Sequence, residues 1–315
     1  MENFIFSINS TMPIFLVILL GYVLKMKKFL TEEFADMANK FCFNIALPLM
    51  LYQDISKTNV REEMDIRFFL FCLIVTIIMF MLVWCIAKLF VKDKTMVGAF
   101  AQAGARGSAA ILGVAFVENI CGDIGMTALM IVASVPFFNM LSVIILVCEA
   151  PSKSNENINK IKSSIINIAK NPIIIGIVLG LIASLVELRL PVIIDRSFDY
   201  VGRTATPIAL IAIGAGFNVK EAIARLKPAI GASFIKLIGL PMLFLPIAVK
   251  MGFRDAEMVS ILVMLAAPTT VSSYVMAKSM NNDHVLASNV IVLTTLLASV
   301  TLTAWVFILR TLGVI

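Results

Sequence analysis

The chain has 315 residues, a formal net charge of +6 and a single histidine, and 60% of its residues are hydrophobic. A mean hydropathy of +0.98 is too high for a chain of this length to cover its core with a polar surface. The composition therefore excludes a water-soluble globular protein and indicates an all-α integral membrane protein.

Apolar stretches near the length needed to cross about 30 Å of hydrocarbon recur along the whole chain. They predict about ten transmembrane helices: Phe4–Leu24, Phe34–Ile55, Ile66–Val91, Met96–Glu118, Ile124–Cys148, Asn171–Leu188, Asp199–Val219, Pro228–Met251, Met258–Met280 and Leu286–Leu312. The first stretch lacks the basic start of a signal peptide, so we expect it to be a retained span. The polar segment Ala150–Ser164 divides the chain almost in half. We therefore expect a first five-helix repeat at 1–149, a cytoplasmic linker at 150–170 and a second five-helix repeat at 171–315.

The distribution of lysine and arginine predicts the orientation, because basic residues are retained on the cytoplasmic side of a membrane. Loops after odd-numbered spans carry fourteen basic residues, whereas loops after even-numbered spans, with the C-terminal end, carry nine. The odd side is therefore predicted to be cytoplasmic, and both termini are predicted to lie outside the cytoplasmic membrane. The basic residues form no stripe, so no nucleic-acid partner is expected.

Motifs that would indicate an enzyme are absent from the sequence, including H-E-x-x-H, G-x-S-x-G and a P-loop. The single histidine, His284, falls in a predicted loop, and the five cysteines form no C-x-x-C pair. No metal, cofactor or catalytic residue is therefore expected. No ATP-binding motif is present either.

The two halves share prolines and glycines at a constant separation of 159 residues. The matching residues are Pro13 and Pro172, Gly21 and Gly180, and Pro48 and Pro207. Each half has an odd number of predicted spans, so the second half must enter the membrane from the opposite face. The sequence therefore predicts an inverted repeat, as in many carriers.

Spans four and nine carry the most unusual polar interruptions, and they correspond in the two halves. Proline removes a helix donor and glycine is a weak helix former, so both helices are predicted to break at mid-membrane. Such breaks are tolerated only where they are buried and line a wet cavity, and half-helix N-termini attract anions. A pair of ordinary proline and glycine kinks is the alternative. The substrate-binding candidates around the two breaks are Arg106, Gly107, Ser108, Pro268, Thr269, Thr270 and Ser272.

Arg106 is the strongest of these candidates, because a charged group at a helix centre costs roughly 2.5–3.5 kcal/mol on insertion scales and is functional by default. Its planar guanidinium suits a carboxylate. The alternative role for Arg106 is to bind backbone carbonyls freed by the break. Four further residues are candidates for a supporting or coupling role: Asn44, Asn139, Lys236 and Asn289. The alternative is snorkelling to the membrane edge for the lysine and interhelical hydrogen bonding for the three asparagines.

Several stretches resemble one known family over essentially the whole chain. The motifs are NKFCFNIALPLMLY at Asn39–Tyr52, ARGSAAILGV at Ala105–Val114, NPIIIGIVLGL at Asn171–Leu181, TPIALIAIGAGF at Thr206–Phe217, and the stretch Leu265–Ala298. They are similar to motifs of the auxin efflux carrier family, including bacterial members named malate or carboxylate permeases. The chain departs from the family at Ser108 and Ser272, where other members often have asparagine.

The resemblance implies a bile-acid-symporter-like fold in which helices four and nine cross, with a scaffold part and a transport part. It also implies elevator-type alternating access for organic anions. We therefore predict a secondary transporter of small organic anions, such as malate-like or auxin-like carboxylates. A proton is favoured over sodium as the coupling ion, and a homodimer is left open. The alternatives are a sodium-coupled bile-acid-type symporter and a non-transporting membrane receptor or sensor on the same fold.

Overall fold

The computed structural model describes residues 2–57, 65–121, 126–150, 165–166 and 168–315. Over these residues the regular elements are helices, and no strand occurs among them. All but the first residue of the polar segment Ala150–Ser164 fall outside the described part of the chain.

The described residues of the first half form seven α-helices. They are α1 (Glu2–Met26), α2 (Glu32–Phe41), α3 (Leu47–Ser56), α4 (Ile66–Phe90), α5 (Val97–Ala105), α6 (Ala109–Cys121) and α7 (Thr127–Glu149). A π-helical turn, Cys42–Ala46, joins α2 to α3 just before Pro48. The second predicted span is thus one helical stretch with an irregular turn inside it.

The second half contributes nine described α-helices. They are α8 (Pro172–Leu185), α9 (Val192–Arg203), α10 (Ala205–Gly216), α11 (Val219–Ala224), α12 (Leu226–Phe234), α13 (Leu240–Lys250), α14 (Asp255–Ala266), α15 (Ser272–Ser279) and α16 (His284–Thr311). A π-helical turn, Ile235–Gly239, joins α12 to α13. Pro241 has no N–H, so the Leu237 carbonyl loses its α-helical donor and accepts the indole N–H of Trp305 at 3.0 Å instead.

Four helical stretches of the described residues are long and apolar enough to cross a membrane: Ile66–Phe90, Thr127–Glu149, Leu226–Lys250 and His284–Thr311. Two shorter apolar stretches are the Met12–Met26 part of α1 and the helix α8, Pro172–Leu185. Large apolar side chains such as Ile74 and Ile78 on α4 are exposed, as expected where lipid is the solvent. The chain is an all-helical protein with apolar helices of the kind found in membranes, and the count of ten spans stays a prediction.

Two boundaries differ from the sequence analysis. The predicted loop before the seventh span is largely helical, because α9 covers Val192–Arg203. Its charged residues interrupt any long apolar stretch, although apolar residues recur at helical spacing along one face. His284 was predicted in a loop and is instead the first residue of α16, because the Asp283 carboxylate caps this helix by accepting the backbone N–H of Leu286 at 2.8 Å.

The helices pack into two bundles. The first bundle consists of α1–α3 and α8–α10, in which α1 packs on α10, and α3 packs on α8 and α9. The second bundle consists of α4–α7 and α12–α16, in which α4 packs on α5 and α7, and α14 packs on α6 and α13. The bundles meet where α1 lies along α16 and where α2 and α10 contact α15.

A close contact between a glycine and a neighbouring helix occurs twice in the first bundle. In one case the glycine belongs to the first half of the chain, and in the other it belongs to the second half. A Cβ atom added to Gly21 of α1 would overlap the carbonyl oxygen of Ile211 on α10. A Cβ atom added to Gly180 of α8 would lie 3.2 Å from the Cα atom of Tyr52 on α3. Gly21 and Gly180 are 159 residues apart, and so are Tyr52 and Ile211.

Candidate functional site

Both helix breaks lie where the sequence places them. Helix α5 ends at Ala105 and α6 begins at Ala109, while α14 ends at Ala266 and α15 begins at Ser272. The two breaks are in direct contact, because the backbone N–H of Ser108 donates to the carbonyl of Pro268 at 2.9 Å. The interrupted helices therefore meet at their interruptions.

Two side chains bind backbone carbonyls across the contact between the breaks. The Thr269 hydroxyl donates to the carbonyl of Ala103 at 2.7 Å, and the Gln102 amide donates to the carbonyl of Ser273 at 2.8 Å. Both side chains are buried. Ala103 lies in the last turn of α5, where a carbonyl lacks a donor within the helix, so the Thr269 bond satisfies a group that would otherwise cost several kcal/mol in hydrocarbon.

Lys236 bridges the C-terminal ends of α5 and α14. Its ammonium donates to the carbonyls of Ala105 at 3.1 Å and Met264 at 3.2 Å. A Cβ atom added to Gly107 would lie 2.9 Å from this ammonium and 3.0 Å from the carbonyl oxygen of Ala267. Gly107 therefore packs closely against the lysine at this point of the break, and a larger residue would require one of the two to shift.

Arg106 directly follows α5, and its side chain is almost completely buried, at 4% exposure. Its guanidinium donates to Oδ1 of Asn139 at 2.6 Å and contacts the sulfur of Met276 at 2.8 Å. The Nε atom has no hydrogen-bond partner among the described residues. Asn139 is itself fixed, because its amide donates to the carbonyl of Val135 at 2.9 Å. The alternative role for Arg106 was to bind backbone carbonyls freed by the break. Lys236 makes those bonds instead.

A cavity of about 370 Å³ lies between the two bundles beside the breaks. Its volume suits a small molecule. The hydroxyls of Thr270 and Ser272 lie 3.2 Å apart on its wall. The cavity brings together five of the seven predicted substrate-binding residues and one predicted supporting residue: Arg106, Gly107, Ser108, Thr270, Ser272 and Asn139.

Three other predicted residues belong to the framework of the breaks and do not line the cavity. Pro268 supplies the carbonyl that Ser108 binds. Thr269 is buried, and its backbone N–H donates to the hydroxyl of Thr294 at 3.0 Å. The Lys236 ammonium lies directly beside Gly107. These residues hold the breaks together rather than facing the cavity.

The last two predicted residues lie away from the cavity. Asn289 of α16 is buried and donates to the carbonyl of Ala222 at 2.7 Å. Asn44 is exposed, and its amide donates to the carbonyl of Lys40 at 2.8 Å within its own helical stretch. Asn289 thus makes the interhelical bond that was the alternative role for it, whereas the Asn44 bond stays within one helical stretch.

The first bundle completes the cavity with polar residues that sequence reasoning did not select. They are Gln53 and Asp54 of α3 and Asp199 and Arg203 of α9. Asp199 and Arg203 form an ion pair at 2.8 Å. Asp54 lies at the end of the predicted second span, and Asp199 and Arg203 lie at the start of the predicted seventh span. The amphipathic pattern of α9 was the signal that could have found them.

The two walls of the cavity differ in chemistry. The wall from the second bundle offers a guanidinium and hydroxyls, which bind anions, whereas the wall from the first bundle offers two carboxylates and a paired arginine. Among the described residues, no group of three or more histidine, cysteine, aspartate or glutamate side chains could hold a metal ion. The arrangement can therefore bind an anion beside the breaks and place ionisable carboxylates across from it.

Comparison with known proteins assigns the chain to a family. Residues 6–306 match the model of a family described as "Membrane transport protein". A protein of Escherichia coli K12 named "Uncharacterized transporter YfdV" is 28% identical over 286 residues, which cover 88% of this chain and 89% of the relative.

Two further relatives cover almost the whole chain. A protein of Rhizobium meliloti named "Putative malonate transporter" is 26% identical over 304 residues, covering 95% of this chain and 94% of the relative. An "Uncharacterized transporter" of Methanothermobacter thermautotrophicus is 21% identical over 307 residues, covering 97% of this chain and 99% of the relative. The chain is therefore a member of the membrane transport protein family, which is the auxin efflux carrier family that its motifs resemble.

Proposed function

We propose that the chain is a secondary transporter that moves small carboxylates across the cytoplasmic membrane. One observation carries this proposal: Arg106, buried at a helix break, presents a guanidinium beside a cavity, and its Nε has no partner among the described residues. A buried charge needs strong hydrogen-bond partners, and a thioether sulfur is a weak acceptor. A carboxylate matches the two parallel donors of a guanidinium and would complete its bonding.

The hydroxyls beside Arg106 supply the remaining donors for the anion. The backbone N–H groups of Ser108 and Thr269 are already used, by Pro268 and Thr294. We therefore assign the substrate contacts to the side chains of Arg106, Ser108, Thr270 and Ser272. Asn139 orients the guanidinium by accepting a bond from it at 2.6 Å.

Alternating access is the proposed mechanism, and the placement of the cavity between the two bundles supports it. If the second bundle moves against the first, the anion bound at the breaks travels with it while the first bundle stays in place. The glycine contact that occurs twice supports an inverted repeat, because it relates the halves at the same 159-residue separation as the prolines. An inverted repeat gives a carrier two equivalent states, open to opposite faces.

A proton is the proposed coupling ion. Two carboxylates, Asp54 and Asp199, line the same cavity as Arg106 and belong to the other bundle. A carboxyl group can take up a proton on one side of the membrane and release it on the other. Sodium coupling is the competing mechanism. The flux experiment described next separates the two, because it compares substrate entry with and without sodium.

Counterflow in proteoliposomes tests the proposed function. Purified protein is reconstituted into vesicles loaded with unlabelled malonate, and the entry of radiolabelled malonate is followed with and without sodium and with an imposed pH gradient. A panel of monocarboxylates, dicarboxylates and a bile acid replaces malonate in parallel. The proposal expects sodium-independent entry of at least one small acid. If an acid raises the melting temperature of the protein but does not enter the vesicles, the protein is a sensor instead of a transporter.

A further inference from the structure

Lys236 is a completely buried lysine whose ammonium lies between the C-terminal ends of two half-helices. Its side chain has 0% exposure, and the ammonium is 3.1 Å from the carbonyl of Ala105 and 3.2 Å from that of Met264. Ala105 is the last residue of α5, and Met264 lies in the last turn of α14. Full burial excludes the snorkelling to a membrane edge that its sequence position also allowed.

The ends of α5 and α14 together form a place that attracts a cation. The last carbonyls of a helix lack donors within it, and its C-terminus carries a partial negative charge of about half an elementary charge. Two such ends converge here, from both broken helices. In carriers with broken helices, the carbonyls at half-helix C-termini are among the groups that coordinate a sodium ion.

The partners of the Lys236 ammonium are those of a metal ion rather than those of an ion pair. Both of its described hydrogen bonds go to backbone carbonyl oxygens, and no carboxylate forms a salt bridge with it among the described residues. Gly107 closes the space on the side of the break, because even a Cβ atom there would lie 2.9 Å from the ammonium.

We propose that the ammonium of Lys236 is a built-in cation that occupies the position where a sodium-coupled carrier would bind its ion at the crossing of the broken helices. A cation bound covalently to α12–α13 cannot cross the membrane with the substrate or be exchanged. The site where the broken helices cross therefore needs no sodium ion, and the protein should fold and transport its substrate without sodium. The transport part of this inference rests on the proposed function, whereas the stability part does not.

The first test uses the wild-type protein in sodium chloride, potassium chloride and N-methyl-D-glucamine chloride at equal ionic strength. We expect the same melting temperature and the same counterflow rate in all three salts. A melting temperature that rises with sodium, or counterflow that requires sodium, would overturn the inference. An absence of counterflow in every salt would contradict the proposed function and leave the melting measurement interpretable.

The second test removes the built-in cation. Lys236→Ala leaves the two carbonyl ends without a donor and opens a polar space that a small cation can enter. We expect a lower melting temperature than that of the wild type in N-methyl-D-glucamine, and recovery of a few degrees in sodium, because a ligand that binds the folded state stabilises it. An equal loss in all three salts would show that the lysine only fills space, and would overturn the inference.

The matched control is Lys278→Ala. Lys278 is also largely buried, but its ammonium pairs with the Asp36 carboxylate at 2.6 Å instead of with helix carbonyls. Its melting temperature should therefore be the same in sodium and in N-methyl-D-glucamine. If Lys236→Ala yields no folded protein, Lys236→Gln is measured in the same salts with the same expectation, because its amide can still donate to one carbonyl.

Discussion

Ser108 and Pro268 are joined by a main-chain hydrogen bond of 2.9 Å, so the two helix breaks form one connected unit. The two residues are one position away from exact correspondence in the 159-residue repeat. A contact between corresponding positions lies close to the pseudo-twofold axis that an inverted repeat would have. The proposed anion site beside this bond therefore takes residues from both halves of the chain.

The Gly107 position should tolerate no side chain. Gly107→Ala places a methyl group against the Lys236 ammonium and the Ala267 carbonyl, and the overpacking should lower stability by about 1–3 kcal/mol. Gly231→Ala is the control, because its Cβ would lie 3.7 Å from the nearest Phe100 atom, an ordinary contact. Thermal melting of both variants in detergent checks this. Equal melting temperatures would mean that the break can relax around the methyl group.

A crosslink between the bundles should stop transport. Asn39 of α2 and Ser279 of α15 belong to different bundles, and the Asn39 amide donates to the Ser279 hydroxyl at 2.9 Å. A disulfide between cysteines at these positions should abolish counterflow, and a reductant should restore it, because alternating access requires the bundles to move.

The control for that experiment crosslinks two helices of the second bundle. The hydroxyls of Thr127 on α7 and Ser260 on α14 lie 3.0 Å apart. A disulfide between cysteines at these positions should leave counterflow intact. Full transport by the oxidised Asn39→Cys/Ser279→Cys protein would rule out a relative movement of the bundles at this contact.

The repeated glycine contact predicts an order of stability. The added methyl group of Gly21→Ala would overlap a backbone oxygen of Ile211, whereas that of Gly180→Ala would first meet the Ile55 side chain at 3.1 Å. An overlap with a backbone oxygen requires a larger shift of the helices than a contact at 3.1 Å, so Gly21→Ala should melt at the lower temperature. The reverse order, measured under identical conditions, would contradict the packing described for α1 and α10.

Sequence alone was sufficient to predict the helix breaks and to single out Arg106, which lies beside them. Pro268 and Gly107 act on their own helices, by removing a donor or weakening the helix, so their effect is local and can be read from the chain. Arg106 stands out because a charge within an apolar stretch is costly. These features need no knowledge of which helices are neighbours.

The remaining features depend on contacts between distant parts of the chain. Lys236 binds the carbonyl of Ala105, which is 131 residues away, and no local pattern indicates that pairing. Asp54 lies at a helix end that resembles a solvated boundary, and only the packing of α3 against α9 places it on the cavity. Tertiary packing thus decides which polar residues face the site.

The orientation in the membrane rests on the distribution of basic residues. Asn155, in the predicted linker, should be cytoplasmic, and Ile315 at the C-terminal end should lie outside. Single cysteines at these positions, in a background without the five native cysteines, are treated with an impermeant thiol reagent on intact cells. We expect labelling at 315 but not at 155. The opposite pattern would reverse the orientation.

The central claim is that Arg106 binds the carboxylate of the transported anion. Its test is the initial counterflow rate of radiolabelled malonate, or of whichever acid of the panel is transported, at low concentration for wild type, Arg106→Lys and Arg106→Ala. Lysine keeps the charge but loses the paired donors, so Arg106→Lys should be slower than wild type.

In the same measurement Arg106→Ala should lose about 1.5–3 kcal/mol of binding, roughly tenfold to a hundredfold in affinity. Melting temperatures measured alongside should stay close to that of the wild type. Counterflow by Arg106→Ala at the wild-type rate would contradict the claim and leave Arg106 with a structural role beside Asn139.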